Sequence, residues 1–170
     1  LVLKWLTFAD PSYCEYVFDF FAARGISRER LDLRGRSFHR ELLAQYADVD
    51  IALDPFPFTG GYTSCEVLWM GLPLVTMAGD KTVARQGLSL IGNLGLPEWA
   101  HAWVADNIDG YVQNAVKLAA DQANLVTIRQ NLRATMKASP LMDGQSFAKD
   151  FEDVLLARWR RQFSTGQSAT

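Results

Sequence analysis

Asp50-Ile51-Ala52-Leu53-Asp54-Pro55-Phe56-Pro57-Phe58-Thr59-Gly60-Gly61-Tyr62-Thr63-Ser64-Cys65-Glu66-Val67-Leu68-Trp69-Met70-Gly71-Leu72-Pro73 reads as a buried strand, a Pro/Gly turn, two hydroxyl residues and a helix. Ile51 to Leu53 is a short apolar run between aspartates, the pattern of a parallel strand. Pro55 and Pro57 end the ladder because proline has no N–H to donate. Gly60 and Gly61 let another group approach the backbone closely. Thr63 and Ser64 then stand where a helix begins. Free N–H groups and the positive end of the helix dipole favour an anion at that point. A phosphate site at the carboxyl end of a strand has this layout. The same residues also fit a capped turn with no ligand, since a Thr or Ser cap is worth about 1 kcal/mol by itself.

Working outward, strands alternate with helices. Val2 to Phe8 is apolar except for Lys4 and Thr7 and predicts a strand. Asp10-Pro11 predicts an N-cap with proline at the first helical position. Tyr13, Val17, Phe20 and Phe21 recur at helical spacing, and Gly25 marks the C-terminal end. Leu31 to Leu33 predicts a strand, and Ser37 a cap for a helix carrying Leu42, Leu43 and Tyr46. Leu74 to Met77 predicts the strand after the quoted segment. A helix follows around Val83 to Ile91, then a last strand at Trp103-Val104. From Asn107 onward the pattern is helical. Tyr111, Ala115, Val116 and Ala119 share one face, and Leu125, Ile128, Leu132 and Met136 another. Ser146 to Phe163 carries Phe147, Phe151, Val154, Leu155 and Trp159 on one stripe. Residues 164–170 are small and polar and predict a frayed, disordered tail. The alternation implies an α/β fold with a parallel sheet and right-handed crossovers.

The chain has 170 residues, enough for one domain with a sizeable core. Its net charge of −2 gives no reason to expect nucleic acid or an anionic membrane as partner. The apolar stretch Val67 to Ala78 is too short to span a bilayer and contains Gly71 and Pro73. Leu1 to Leu6 is too brief for a signal peptide. Cys14 and Cys65 are too few for a disulfide framework and fit a reducing, cytoplasmic compartment, each as a small buried hydrophobe. No His stands near Cys65 in sequence, which disfavours a nucleophilic role. Two histidines and scattered acids lack metal-ligand spacing, so no metal is expected. His101 is expected to pack beside Trp99 and Trp103. No G-x-S-x-G, Walker A or G-x-G-x-x-G element occurs. There is no repeat with a period of 20 to 50 residues. The chain opens on a strand without an initiating methionine, which predicts a fragment.

The quoted segment resembles the O-linked N-acetylglucosamine transferases, TPR-associated enzymes with two Rossmann-like lobes. The elements that carry the resemblance are Leu53-Asp54-Pro55, Gly61-Tyr62-Thr63-Ser64, Glu66, Leu68-Trp69-Met70-Gly71-Leu72-Pro73 and Val75-Thr76. It continues in order through Ala78-Gly79-Asp80, Ala84-Arg85, Leu94-Gly95-Leu96-Pro97-Glu98 and Ser139-Pro140-Leu141, over nearly the whole chain. It implies a Rossmann-like parallel sheet with flanking helices and a helical C-terminus: the C-terminal, donor-binding lobe of a GT-B glycosyltransferase, over residues 1–163. It also implies transfer of N-acetylglucosamine from UDP-GlcNAc to Ser or Thr hydroxyls of proteins, with anomeric inversion and no metal or cofactor.

By the same resemblance, Gly61, Tyr62, Thr63 and Ser64 meet the UDP diphosphate. Glu66 meets the ribose, with Ser37 and His39 at the ribose and uracil, and Arg85 supports the site. A general base, a diphosphate-binding lysine, the acceptor lobe and the TPR array that receives the protein acceptor lie outside this chain. The chain departs from the pattern twice. Tyr62 stands where many members have histidine, and Glu41-Leu42 where many have a Glu-His pair. Those departures leave a non-catalytic nucleotide-binding or scaffold module, or a transferase using another UDP-sugar, as the alternatives.

Overall fold

A computed structural model of the chain describes residues 1–96 and 102–164. Pro97, Glu98, Trp99, His101 and the tail beyond residue 164 lie outside the described residues, and with them the packing expected of His101. The chain divides into two compact units, 1–49 and 50–170.

In the first unit, β1 (Val2–Lys4) pairs in parallel with β2 (Asp32–Arg34), Leu3 facing Leu33. The strand expected from Val2 to Phe8 stops at Lys4. Leu6–Ala9 instead forms a 3-10 turn whose Thr7 carbonyl accepts the Asp10 N–H at 3.0 Å. That turn aims the chain into α1 (Pro11–Ala22), where Asp10 Oδ1 accepts the Ser12 N–H at 2.9 Å with proline at the first helical position. Gly25, at φ +75°, closes the helix end, its N–H donating to Ala22 O and that of Ile26 to Phe21 O. In β2, Arg34 donates to Asp32 Oδ2 and to Asp48 Oδ2, at 2.6 and 2.7 Å. The hydrogen bond from Arg34 holds the Asp32 carboxyl below the usual carboxylate value. The N-cap of α2 (His39–Gln45) is Phe38, not Ser37 as its hydroxyl predicts; Glu41 Oε2 accepts the Phe38 N–H at 3.2 Å. Glu41 three residues on is a sequence signal for this cap.

In the second unit, three parallel strands run in the order β3 (Ala52–Leu53), β4 (Leu74–Met77), β5 (Val104–Ala105). Each connection between them carries a helix: α3 (Tyr62–Trp69) before β4, α4 (Gln86–Gly92) before β5. Burial concentrates on the central strand, where Leu74, Val75 and Thr76 are inaccessible. The expected burial of β3 is not found: Ile51 and Ala52 are half-buried and Leu53 is exposed, because β3 lies at the edge of these three strands.

Three helices follow: α5 (Ile108–Ala120), α6 (Gln122–Lys137) and α7 (Gly144–Ser164). Asn107 caps α5 through the Gly110 N–H, and Asp121 caps α6 through the Asn124 N–H. The core face of α5 is Tyr111 and Leu118, with Val116 and Ala119 exposed contrary to their expected place. Tyr111 and Leu118 stand seven residues apart, two full turns, which the 3.6-residue period accommodates better. On α6, Ile128, Leu132 and Met136 are buried and Leu125 half-buried, as their spacing predicts. Gly71, at φ +85°, lets α3 approach α6: a Cβ there would meet Arg129 O at 2.8 Å. Arg133 Nε donates to Trp69 O at 2.6 Å, placing a cation at the C-terminal end of α3.

The stripe on α7 is solvent-facing. Phe151 is 55% and Trp159 59% exposed, with Phe147, Leu155 and Phe163 similar. Because these side chains have little to lose, Phe151→Ser with Trp159→Ser is expected to move the stability of this chain by no more than about 0.5 kcal/mol per site. Urea unfolding checks this; a large fall in midpoint would mean the stripe is ordinary core.

Candidate diphosphate site

The loop from Asp54 to Gly61 joins β3 to α3, and a buried carboxylate organises it. Asp54 is 2% exposed. Its Oδ1 accepts the Gly60 N–H at 2.7 Å and faces Ser64 Oγ at 3.4 Å; its Oδ2 accepts Thr76 Oγ1 at 2.7 Å. Its backbone carbonyl accepts Tyr111 Oη at 3.0 Å. Desolvation lifts the Asp54 carboxyl above the usual carboxylate value, against the pull of Thr76, Gly60 and Ser64. Burial, and then the Asp54 charge, push the Tyr111 phenol up to about 12. The Phe56 ring meets Tyr111 edge-on, centroids 5.3 Å apart. Thr59 fastens the other side of the loop, its N–H and Oγ1 both donating to Val83 O at 3.1 and 2.9 Å.

Close approach requires glycine at Gly60, while at Gly61 the neighbour is the movable end of the Gln86 side chain. A Cβ on Gly60 would lie 2.4 Å from Ser64 Oγ, and one on Gly61 would lie 2.6 Å from Gln86 Oε1. Gly61 is the N-cap of α3 and no side chain caps that helix. Thr63 and Ser64 are therefore not caps, which corrects the capped-turn alternative. The first-turn N–H groups of α3, the positive dipole end and the adjacent hydroxyl of Thr63 form a surface suited to an anion.

Gly61, Tyr62, Thr63, Ser64 and Glu66 all lie at the start of α3. Tyr62 is 74% exposed and Thr63 is exposed too, whereas Ser64 and Glu66 are buried. Arg85 is the N-cap residue of α4 in the same unit, and its Nη1 donates to Gly79 O at 2.9 Å, pinning the turn after β4. Ser37 and His39 belong to the other unit: His39 opens α2 at the surface, and Ser37 Oγ is buried with no hydrogen-bond partner among the described residues. Cys65 and Cys14 are half-buried rather than buried as expected, and desolvation raises the Cys65 thiol. That shift disfavours a thiolate nucleophile.

Sequence reasoning missed Asp54, Thr76, Tyr111 and Gly87 as parts of this site. A Cβ on Gly87 would fall 2.5 Å from Asp54 Oδ2 and from Thr76 Oγ1. The available signal was an aspartate placed directly between an apolar strand and a Pro/Gly loop. Nothing local announces Tyr111, 57 residues away in sequence.

Among the described residues, no group of three or more His, Cys, Asp or Glu side chains could hold a metal ion. No helix among them is long and apolar enough to cross a membrane.

Residues 3–151 match glycosyl transferase family 41. The chain is 35% identical over 162 residues to a tomato (Solanum lycopersicum) protein described as a probable UDP-N-acetylglucosamine--peptide N-acetylglucosaminyltransferase SPINDLY, covering 95% of this chain and 17% of that protein. It is 29% identical over 147 residues to the UDP-N-acetylglucosamine--peptide N-acetylglucosaminyltransferase of Caenorhabditis elegans, covering 86% of this chain and 12% of that protein. The solved K341M mutant of the Thermobaculum terrenum O-GlcNAc transferase superposes with a TM-score of 0.88 at 32% identity, covering 98% of this chain and 31% of that one. The chain thus spans about a sixth of the tomato relative and a third of the solved transferase. With its α/β architecture and ordered motifs, the match over residues 3–151 places the chain in glycosyl transferase family 41.

Proposed function

We propose that residues 1–163 are the donor-binding lobe of a protein O-GlcNAc transferase, holding the UDP of UDP-GlcNAc while the sugar passes to a Ser or Thr hydroxyl of a protein. The observation that carries this reading is the uncapped start of α3, with Gly61 backbone and the exposed Tyr62 and Thr63 beside it, in a family 41 chain. On this reading the first-turn N–H groups and the Thr63 hydroxyl neutralise the diphosphate as charge develops on the departing UDP. That is the task a divalent cation performs in other transferases, so transfer is metal-independent. Tyr62 packs on the nucleotide, and Glu66, at the start of the same helix, accepts from ribose hydroxyls. Arg85 holds the neighbouring turn. Transfer inverts the anomeric centre, with the general base and the protein acceptor supplied by the acceptor lobe and TPR region of the whole polypeptide. The solvent-facing stripe of α7 fits a lobe that packs against such a region. Two free cysteines fit a cytoplasmic protein.

Thr63→Val tests the diphosphate contact. A hydrogen bond to a charged group is worth about 1.5–3 kcal/mol, so UDP binding is expected to weaken by roughly tenfold or more with the fold intact. Unchanged affinity would remove Thr63 from the site. For the whole protein, consumption of UDP-GlcNAc with a peptide acceptor is expected and is insensitive to EDTA. Failure to consume UDP-GlcNAc would favour a non-catalytic module or another donor sugar.

A further inference from the structure

We infer that Asp54 is the positioning residue of this site: its carboxylate sets the backbone of the Thr59–Gly61 loop and holds the Ser64 hydroxyl inward, so that Thr63 and not Ser64 meets the diphosphate. The inference rests on reading the start of α3 as the diphosphate site. Its basis is a buried network around Asp54: the carboxylate accepts from Gly60 in the loop and Thr76 on β4 and, at longer range, from Ser64 on α3, while the backbone carbonyl accepts from Tyr111 on α5. All four are neutral. A buried carboxylate without a cationic partner costs desolvation free energy that an apolar residue of similar size avoids. Two glycines make room for it. A Cβ on Gly87 would collide with Oδ2 at 2.5 Å, and one on Gly60 would crowd Oδ1 at 3.2 Å. Asp54 is too deeply buried to reach a ligand, so it acts through the groups it holds. The Gly60 N–H on Oδ1 fixes the Thr59–Gly60 peptide, one residue before Gly61, the N-cap from which the first turn of α3 starts. Ser64 Oγ, buried and turned to the same oxygen, points away from the solvent side where Thr63 lies.

The test is UDP titration of the wild-type chain and of Ser64→Ala, Thr63→Val, Asp54→Ala and Asp54→Asn, each with its thermal unfolding recorded. Ser64→Ala is expected to keep the UDP dissociation constant within about twofold, whereas Thr63→Val raises it about tenfold or more. Folded Asp54→Ala is expected to lose about tenfold as well. Asp54→Asn keeps an oxygen for the Gly60 N–H, and the Thr76 hydroxyl can turn to accept from the new amide, so binding is expected to recover to within about threefold of wild type. A purely structural role would lower the melting temperatures and leave the affinity of the folded variants unchanged, which would overturn the inference. So would Ser64→Ala weakening UDP as much as Thr63→Val. If Asp54→Ala does not fold, Asp54→Ser, whose shorter side chain cannot span to the Gly60 N–H and the Thr76 hydroxyl together, takes its place and is expected to lose about tenfold, and unchanged affinity would overturn the inference. Wild-type chain that binds no UDP overturns the diphosphate reading itself, and this inference with it.

Discussion

Gly87→Ala is expected to destabilise the 50–164 unit by about 3–5 kcal/mol. The added methyl would stand 2.5 Å from both Asp54 Oδ2 and Thr76 Oγ1, and both residues are fully buried on a central strand and its neighbour. Neither is the free end of a flexible side chain, so relief requires a backbone shift or separation of the pair. Overpacking of this kind costs about 1–3 kcal/mol. Breaking a hydrogen bond to a buried carboxylate adds roughly 1.5–3. Against a usual total of about 5–15 kcal/mol, that loss brings a marginal domain close to unfolding. With a urea slope of about 2 kcal/mol per molar, the midpoint is expected to fall by roughly 2 M. An unchanged midpoint would show that α4 can move off the Asp54–Thr76 pair without strain.

Leu68→Ala is expected to cost about 2–5 kcal/mol, the range for emptying a buried leucine site that relaxes only partly. Leu68 is 0% exposed on α3, the helix that carries the site and packs on α6. The control is Val126→Ala, exposed on α6, expected to stay within about 0.5 kcal/mol. Chemical unfolding separates the two; a Leu68 effect as small as that of Val126 would mean that α3 is not anchored through this face. Since the N-terminus of α3 carries the proposed ligand contacts, the folded fraction of the Leu68 variant is also expected to bind UDP less well.

The alternation of strands and helices was legible because each element carries its own period: Leu74 to Met77 as a continuous apolar run, Ile128, Leu132 and Met136 at helical spacing, and Asp10-Pro11 and Asn107 as caps. Element ends were less legible where tertiary packing decides them. Val2 to Phe8 has strand composition throughout, yet the chain turns after Lys4 to aim α1. Phe38 caps α2 because Glu41 reaches back to its N–H, while the better capping hydroxyl of Ser37 sits one residue early. The site loop was recognisable from Gly60-Gly61 and the hydroxyls that follow. Its organising group was not, because burial of Asp54 depends on Thr76, Gly87 and Tyr111, which converge on it from 22, 33 and 57 residues downstream. Ser64 illustrates the same limit: two adjacent hydroxyls look equivalent in sequence, and the helical turn sends one inward and one outward.

Calorimetric titration of the chain with UDP, ATP and GMP tests the central claim, a diphosphate site for a uridine nucleotide at the start of α3. UDP is expected to bind with a dissociation constant near the millimolar range, about −4 kcal/mol, with ATP and GMP weaker. ATP binding as tight as UDP, or tighter, would contradict the assignment.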